Sequence, residues 1–182
     1  MSSAIQTDRL DLVSMTPAFL QASINGDIAE AARILPTSLP AEWPGENRPN
    51  LLIRLKQLEN DPVLQPWLTR AMRLRATGAI VGLIGFHGAP GVEYPCPVAA
   101  GAAEFGFRVF PEYRRQGYAR EAAVALMRWA AMQQGVTDFV LTIRPDNVAS
   151  QALARGLGFV RRGFHIDEVD GEEDVLERHG AP

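Results

Sequence analysis

The stretch Glu104 to Ala122, E-F-G-F-R-V-F-P-E-Y-R-R-Q-G-Y-A-R-E-A, changes hydrophobic period midway. Its first half predicts a strand, Ala102 to Phe110. Beyond it, Ala119, Ala122, Ala123, Leu126, Met127 and Ala130 share one helical face, which predicts a helix over Tyr118 to Gln133 ending near Gly135. Between the two lies Pro111 to Gly117, a polar loop with two arginines that enters the helix through a glycine. A helix N-terminus leaves backbone N–H groups unsatisfied and carries partial positive charge, so this is an anion site suited to a pyrophosphate. Gly117 lets the backbone approach closely, Arg114 and Arg115 add charge-assisted bonds, and Ala119 keeps the first turn free of bulk. Neither G-x-G-x-x-G nor G-x-x-x-x-G-K-[ST] is present. The competing reading is a tight connection at Gly117 with solvated arginines.

Working outward, Arg9 to Val13 alternates as a short strand, and Thr16-Pro17 starts a helix that stops at Asn25-Gly26. Asp27 to Leu35 is a second helical run. Pro36 to Pro49 holds four prolines and Trp43 and is predicted as loop, followed by a helix at Leu51 to Leu58 with residues 51, 52, 55 and 58 as its buried stripe. Leu68 to Arg75 and Ala79 to His87 form a hairpin through Thr77-Gly78, and a loop follows over Gly88 to Pro97. After the central helix come a strand at Phe139 to Ile143, a break at Pro145-Asp146-Asn147, and a short helix facing inward through Ala149, Ala152, Leu153 and Gly156. An acidic hairpin, Val160 to Glu177, expected to be solvated, ends the series. The order predicts one compact α/β or α+β domain spanning residues 1–182.

Of the 182 residues, 47% are hydrophobic, and 18 basic against 21 acidic side chains leave a net charge of -3. Without a basic patch or tail, a nucleic-acid partner is not expected. Cys96, set between Pro95 and Pro97, has no partner for an internal disulfide, which suits a reducing compartment. Met1 to Leu10 lacks a basic-then-apolar leader, and no long apolar run occurs, so the chain is expected to be cytoplasmic and independent of membranes.

Four motifs in sequence resemble the GNAT superfamily of N-acyltransferases, within it the RimJ/RimL-like group. They are T-D-R-L-D-L (Thr7 to Leu12), G-A-I-V-G-L-I-G-F-H (Gly78 to His87), the Glu104 to Ala122 stretch, and D-N-V-A-S-Q-A-L-A-R-G-L-G-F (Asp146 to Phe159). The resemblance leaves Ala29 to Val63 uncovered. It implies a mixed, mainly antiparallel central sheet flanked by helices, with Ala102 to Phe110 and Phe139 to Ile143 splayed apart. It also implies acetyl-CoA as donor co-substrate. The pantetheine would pair with backbone of Phe107, Arg108 and Val109 and bond Asn147. The pyrophosphate would meet Arg114, Arg115, Gln116, Gly117, Tyr118 and Ala119. The reaction implied is transfer of an acetyl group to a primary amine, a peptide or protein N-terminus or a small amine, by direct attack in a ternary complex.

Such a transfer needs an unprotonated amine, an oxyanion donor and a partner for the leaving thiolate. Glu104 is the general-base candidate, acting through water; otherwise it is a surface carboxylate on a half-exposed strand. Gly106, on the same face, leaves room beside it. Many relatives in this family carry a tyrosine where Ala154 stands, so Ser150 is the candidate for the thiolate, against the reading of a serine that caps its own helix. The backbone N–H of Val109 is the oxyanion candidate. His87 is read as a structural histidine rather than a site residue, and Trp43 and Trp67 as core rather than acceptor groove. His165 with its acidic neighbours lacks ligand spacing, so no metal is expected. The rival from another class, kept open by Ala154, is a non-catalytic acyl-CoA-binding module. Oligomeric state, a homodimer included, stays open.

Overall fold

The computed structural model describes residues 4–91, 94, 96–169, 171–180 and 182; Met1 to Ser3, Pro95 beside Cys96, and residue 170 of the terminal hairpin lie outside them. The elements are β1 (Ile5–Gln6), β2 (Leu10–Ser14), α1 (Pro17–Ile24), α2 (Ile28–Ile34), α3 (Arg48–Asn60), β3 (Arg70–Leu74), β4 (Ile80–Phe86), β5 (Ala103–Val109), α4 (Tyr118–Gln134), β6 (Asp138–Ile143), α5 (Val148–Gly156), β7 (Val160–Asp167) and β8 (Gly171–His179). The strands order as β1-β2-β3-β4-β5-β6-β8-β7. Pairing is antiparallel from β1 to β4 and within β6-β8-β7, whereas β5 and β6, joined through α4, run parallel. A parallel pair needs a long crossover, and α4 is that crossover. The expected mixed, mainly antiparallel sheet is the one observed.

Contacts divide the chain into two compact units, residues 1–85 with 107–122 and residues 86–106 with 123–182. In the first, α1 begins where Thr16 accepts from the Phe19 N–H, and α2 where Asp27 accepts from the Glu30 N–H. Side chains of this capping type satisfy donors that the first turn leaves open. Phe19, Leu20, Leu51, Leu55, Leu58 and Trp43 form the core against β3 and β4. The Pro36 to Pro49 loop is shorter than expected. A 3-10 turn occupies Gly45–Asn47 and α3 already starts at Arg48, because a proline in the first turn of a helix forfeits no intrahelical bond. The buried stripe of α3 is Leu51, Leu55 and Leu58; Leu52, one residue around the helix, is 42% exposed. Trp43 and Trp67 are buried, as expected. Arg70, a charged residue on the strand face of Leu68 and Met72, is fully buried and donates to the Pro66 carbonyl at 2.8 Å. That burial pushes the guanidinium down to about 10.

The predicted face of α4 is inaccessible at Ala122, at the end of the first unit, and at Ala123, Leu126, Met127 and Ala130 in the second, while Ala119 is half-buried. Phe105 packs against Phe86 and Phe159 with ring centroids 5.9 and 6.0 Å apart. Two expectations are corrected here. The terminal hairpin is not simply solvated: Glu177 is 3% exposed and accepts from the Ala99 N–H and Arg162, while Asp174 accepts from Gln151 and Arg161. Buried carboxylates survive where donors surround them, and here strand pairing supplies the donors. The inward residues of α5 are Gln151 and Ala154, not Ala149, Ala152 and Gly156, which are exposed. Gln151 is drawn in because its amide meets both Asp174 and the Ile143 carbonyl.

Gly82 on β4 lies where β5 comes closest: a Cβ there would sit 2.3 Å from the Arg108 carbonyl oxygen. Backbone cannot yield as a side-chain tip can, so Gly82→Ala is expected to cost about 1–3 kcal/mol by overpacking. Gly88→Ala, with nothing within 4 Å of its Cβ, is expected to be near neutral. Denaturant midpoints of the two variants compare them directly.

Candidate active site

The loop that leads from β5 into α4 is built by backbone conformation. After a 3-10 turn at Pro111–Tyr113, Arg115 adopts φ 63° and Gly117 φ 83°, both in the left-handed region. Alternation of this kind turns successive N–H groups to one side, the arrangement of an anion-binding nest. It holds Arg115, a residue with a Cβ, in a conformation that ordinarily costs about 1–3 kcal/mol and persists where surroundings enforce it. The first intrahelical bond runs from the Glu121 N–H to the Gly117 carbonyl at 3.1 Å, so the N–H groups of Tyr118 and Ala119 have no helix carbonyl to meet. Arg114, Arg115, Gln116 and Gly117 are exposed. Tyr118 is buried, its hydroxyl donating to Gln116 Oε1 at 3.1 Å, so it presents backbone rather than side chain.

Sequence reading missed the group that steadies this loop. Arg9 donates from Nη1 to the Gln116 carbonyl at 2.9 Å, lies 4.6 Å over the Tyr118 ring, and pairs with Glu121 at 2.6 Å. Thr7 Oγ1 and the Arg9 N–H both donate to Glu121 Oε1, at 2.6 and 2.9 Å. Burial alone would raise the Glu121 carboxyl, but these bonds outweigh it and hold the group below the usual carboxylate range. The signal available in the sequence was a lone glutamate in the first turn of a helix otherwise set for an anion. Its partner lies over a hundred residues away.

Along β5 the backbone divides its loyalties. Phe110 donates to Val81 and the Arg108 carbonyl faces Gly82, so those residues turn to β4, and alternation leaves Phe107 and Val109 turned to the other edge. The Val109 carbonyl accepts from Arg114 Nε at 3.1 Å. In the second unit, β5 and β6 pair at Ala103 with Phe139 and Glu104 with Val140, and the register goes no further. That is the expected divergence, beginning at Phe105.

Glu104 is not a surface carboxylate. Its side chain is 11% exposed, with Oε1 2.8 Å from Thr142 Oγ1 and 3.2 Å from His87 Nδ1, and it also bonds the Tyr94 hydroxyl. Burial would raise this carboxyl; the bonds from His87, Tyr94 and Thr142 more than offset it and hold it low. Tyr94 is pushed up by its own burial and by Glu104. Asn147 caps α5, its Oδ1 accepting from the Ser150 N–H at 3.2 Å. The capping role considered for Ser150 therefore belongs to Asn147, and the Ser150 side chain is half-buried one turn along. Ala154 is fully buried, a methyl group turned to the core.

In the first unit, the segment 40–47 with Arg108, Phe110, Pro111 and Glu112 encloses a cavity of about 430 Å³. Trp43 and Pro44 line one side, and Glu46 pairs with Arg108. Its wall belongs largely to the part of the sequence that carries no motif. Among the described residues no cluster of three or more His, Cys, Asp or Glu is arranged for a metal, and no helix is long and apolar enough to cross a membrane.

The model of the acetyltransferase (GNAT) domain matches residues 16–160. The FsC-acetyl coenzyme A-N(2)-transacetylase of Aspergillus fumigatus is 34% identical over 102 residues, 56% of this chain but only 43% of that protein's length. An uncharacterized N-acetyltransferase of Bacillus subtilis, YjdG, is 28% identical over 160 residues, covering 86% of this chain and 89% of that one. Among solved structures, RimL, the ribosomal L7/L12 alpha-N-protein acetyltransferase in complex with coenzyme A, superposes with a TM-score of 0.65 at 17% identity, covering 98% of this chain and 99% of that chain; this shows a shared fold. With a family match over well more than half of its length, running through the β5 to α4 loop and the Asn147 cap, the chain belongs to the GNAT family of acetyl-CoA-dependent N-acetyltransferases.

Proposed function

We propose that this acetyltransferase moves the acetyl group of acetyl-CoA to a primary amine by direct attack in a ternary complex, within one catalytic domain formed by residues 1–182. The observation that carries the donor half is the nest at Arg115 to Gly117 opening α4. In the first unit, Arg114, Arg115 and Gln116 with the backbone of Gly117, Tyr118 and Ala119 take the pyrophosphate, and the backbone of Phe107, Arg108 and Val109 takes the pantetheine, chiefly through the edge that β4 leaves open. In the second unit, Asn147, whose Oδ1 is spent on the cap, offers its amide N–H to the pantetheine. Ser150 serves the thiolate, and the Glu104 network handles the proton of the amine. Amine acceptors are supported by the names of two relatives, one an N(2)-transacetylase and the other an alpha-N-protein acetyltransferase. The cavity walled by Trp43, Pro44, Glu46 and Arg108 is assigned to the acceptor, a peptide or protein N-terminus or a small amine.

Release of free thiol from acetyl-CoA, followed across small amines and peptides with free N-termini, tests the reading. Background release with every acceptor, together with tight CoA binding, would point instead to a binding module. Gly117→Glu places bulk and negative charge in the nest and is expected to abolish CoA binding by calorimetry; unchanged affinity would remove the pyrophosphate assignment. Arg9→Ala uncovers the Glu121 carboxylate beside the same site and is expected to weaken CoA about tenfold, with Glu121→Gln in the same chain restoring most of the loss.

A further inference from the structure

In the second unit, β7 is the last strand in the order and runs for eight residues beside β8. Among the described residues no strand pairs with its outer edge, so that edge offers backbone N–H and C=O groups as a template for another chain. Neither proline nor lysine interrupts V-R-R-G-F-H-I-D, Val160 to Asp167, and the register shifts only near its start, between Arg161 and Gly163. The two faces of β7 are covered unequally. Residues opposite one another in an antiparallel pair share a face, so Gly163 and His165 lie with Val175 and Glu173. The loop between β4 and β5 covers them: a Cβ at Gly163 would meet that of Cys96 at 2.6 Å, and the His165 ring lies 5.2 Å from the Tyr94 ring. Phe164 lies with Asp174 and Ile166 with Glu172, on the face that α5 reaches through Gln151. There α5 leaves the strand bare, with Phe164 51% and Ile166 66% exposed.

We infer that this edge takes a second copy of the chain, β7 against β7 in antiparallel fashion, about a twofold axis at Phe164. The charge pattern of the strand selects that occupant. Arg161 and Arg162 stand at its start, Asp167 at its end and Glu168 just beyond. Two such strands laid antiparallel set each basic end against the other's acidic end, whereas laid parallel they set like against like. Arg161 is the basic residue placed to reach across. The register shift brings it opposite Leu176, onto the face of Phe164, and it spends Nε on Asp174 while 54% of its side chain stays exposed. Arg162 is occupied within the chain by Glu177 and His179. At the acidic end Asp167 accepts from the Val169 N–H at 2.8 Å, and Glu168 is exposed. Across the axis Arg161 therefore meets Glu168 of the partner subunit, and the two Phe164 rings meet at the centre. Strand addition supplies main-chain bonds, and the exposed Phe164 and Ile166 of both copies leave water together. An interface of this kind is isologous and closes at two copies. One strand edge covers less than a standard interface, so the dimer is expected at micromolar rather than nanomolar affinity.

Sedimentation velocity of the full chain from micromolar to submillimolar concentration tests the pairing, with a mass of twice the single chain expected in the upper part of that range. Phe164→Asp should raise the dissociation constant about tenfold or more and leave the circular dichroism spectrum unchanged, because the ring it removes is half exposed. Two charge reversals then test the antiparallel arrangement. Arg161→Glu and Glu168→Arg, each alone, set like charges together at both ends of the pair and should be monomeric where the wild type is a dimer. Mixed in equal amounts they should form a dimer, since each reversed end then meets its opposite. Within one chain the two positions lie about 20 Å apart along the strand, so recovery on mixing can arise only across the axis. The mixing experiment keeps Phe164 in place and stands whether or not Phe164→Asp folds. A single-chain mass throughout the range, a dimer indifferent to Phe164→Asp, or a mixture no more dimeric than its two components would each overturn the proposal.

Discussion

The loop that opens α4 depends on how one negative charge is held. Glu121 sits in the first turn of α4, where the helix dipole welcomes a carboxylate as readily as a phosphate. Left uncompensated, it would compete with an anionic ligand for the same field. Thr7 and the backbone and guanidinium of Arg9 bind both of its oxygens, and the same guanidinium reaches the Gln116 carbonyl and covers Tyr118. One arginine therefore neutralises the competing charge and fixes the loop between the left-handed residues Arg115 and Gly117. The role of the T-D-R segment near the N-terminus is to supply that clamp as well as to start a strand.

The second organising constraint is the close approach of β4 and β5. Gly82 permits the Arg108 carbonyl to come near, and Gly106 permits the Nε2 tip of the His87 ring to approach the strand. Missing side chains at these two positions define where backbone meets backbone and where an imidazole is admitted. The result on β5 is a strand whose successive residues serve different ends. Glu104 and Gly106 belong to the face that handles charge, and Phe105 to the aromatic core with Phe86, Phe139 and Phe159. Alternation of side chains is what lets one strand serve both.

Burial of charge recurs elsewhere in the molecule under the same rule. Glu177, Asp174, Asp11 and Arg70 are withdrawn from water, and each meets oppositely charged or hydrogen-bonding groups from a neighbouring strand or loop. Local patterning describes such residues as solvent-facing because polarity is all it registers. A partner contributed by a strand far away in sequence reverses the balance, since a bonded ion loses little on leaving water and an unbonded one loses much.

What the sequence by itself determined is whatever repeats or terminates locally. The 3.6-residue face of α4, the Thr16 and Asp27 helix starts, the order of strands and helices, and the glycine-led entry into α4 all follow from spacing within a few residues. The four motifs then matched a family and its acetyl-CoA chemistry. Only the tertiary structure decided that Arg9 braces the loop before α4, that Glu104 is buried within a ring of donors, that His87 stands beside it over Gly106, and that Asn147 rather than Ser150 caps α5. The reason is common to all but the last: each is a contact between segments remote in sequence, and side-chain polarity names a group able to bond without naming the strand that brings its partner. For Asn147 and Ser150, three residues apart, the residue types allowed either cap, and only the backbone geometry at the helix start showed which side chain accepts the bond.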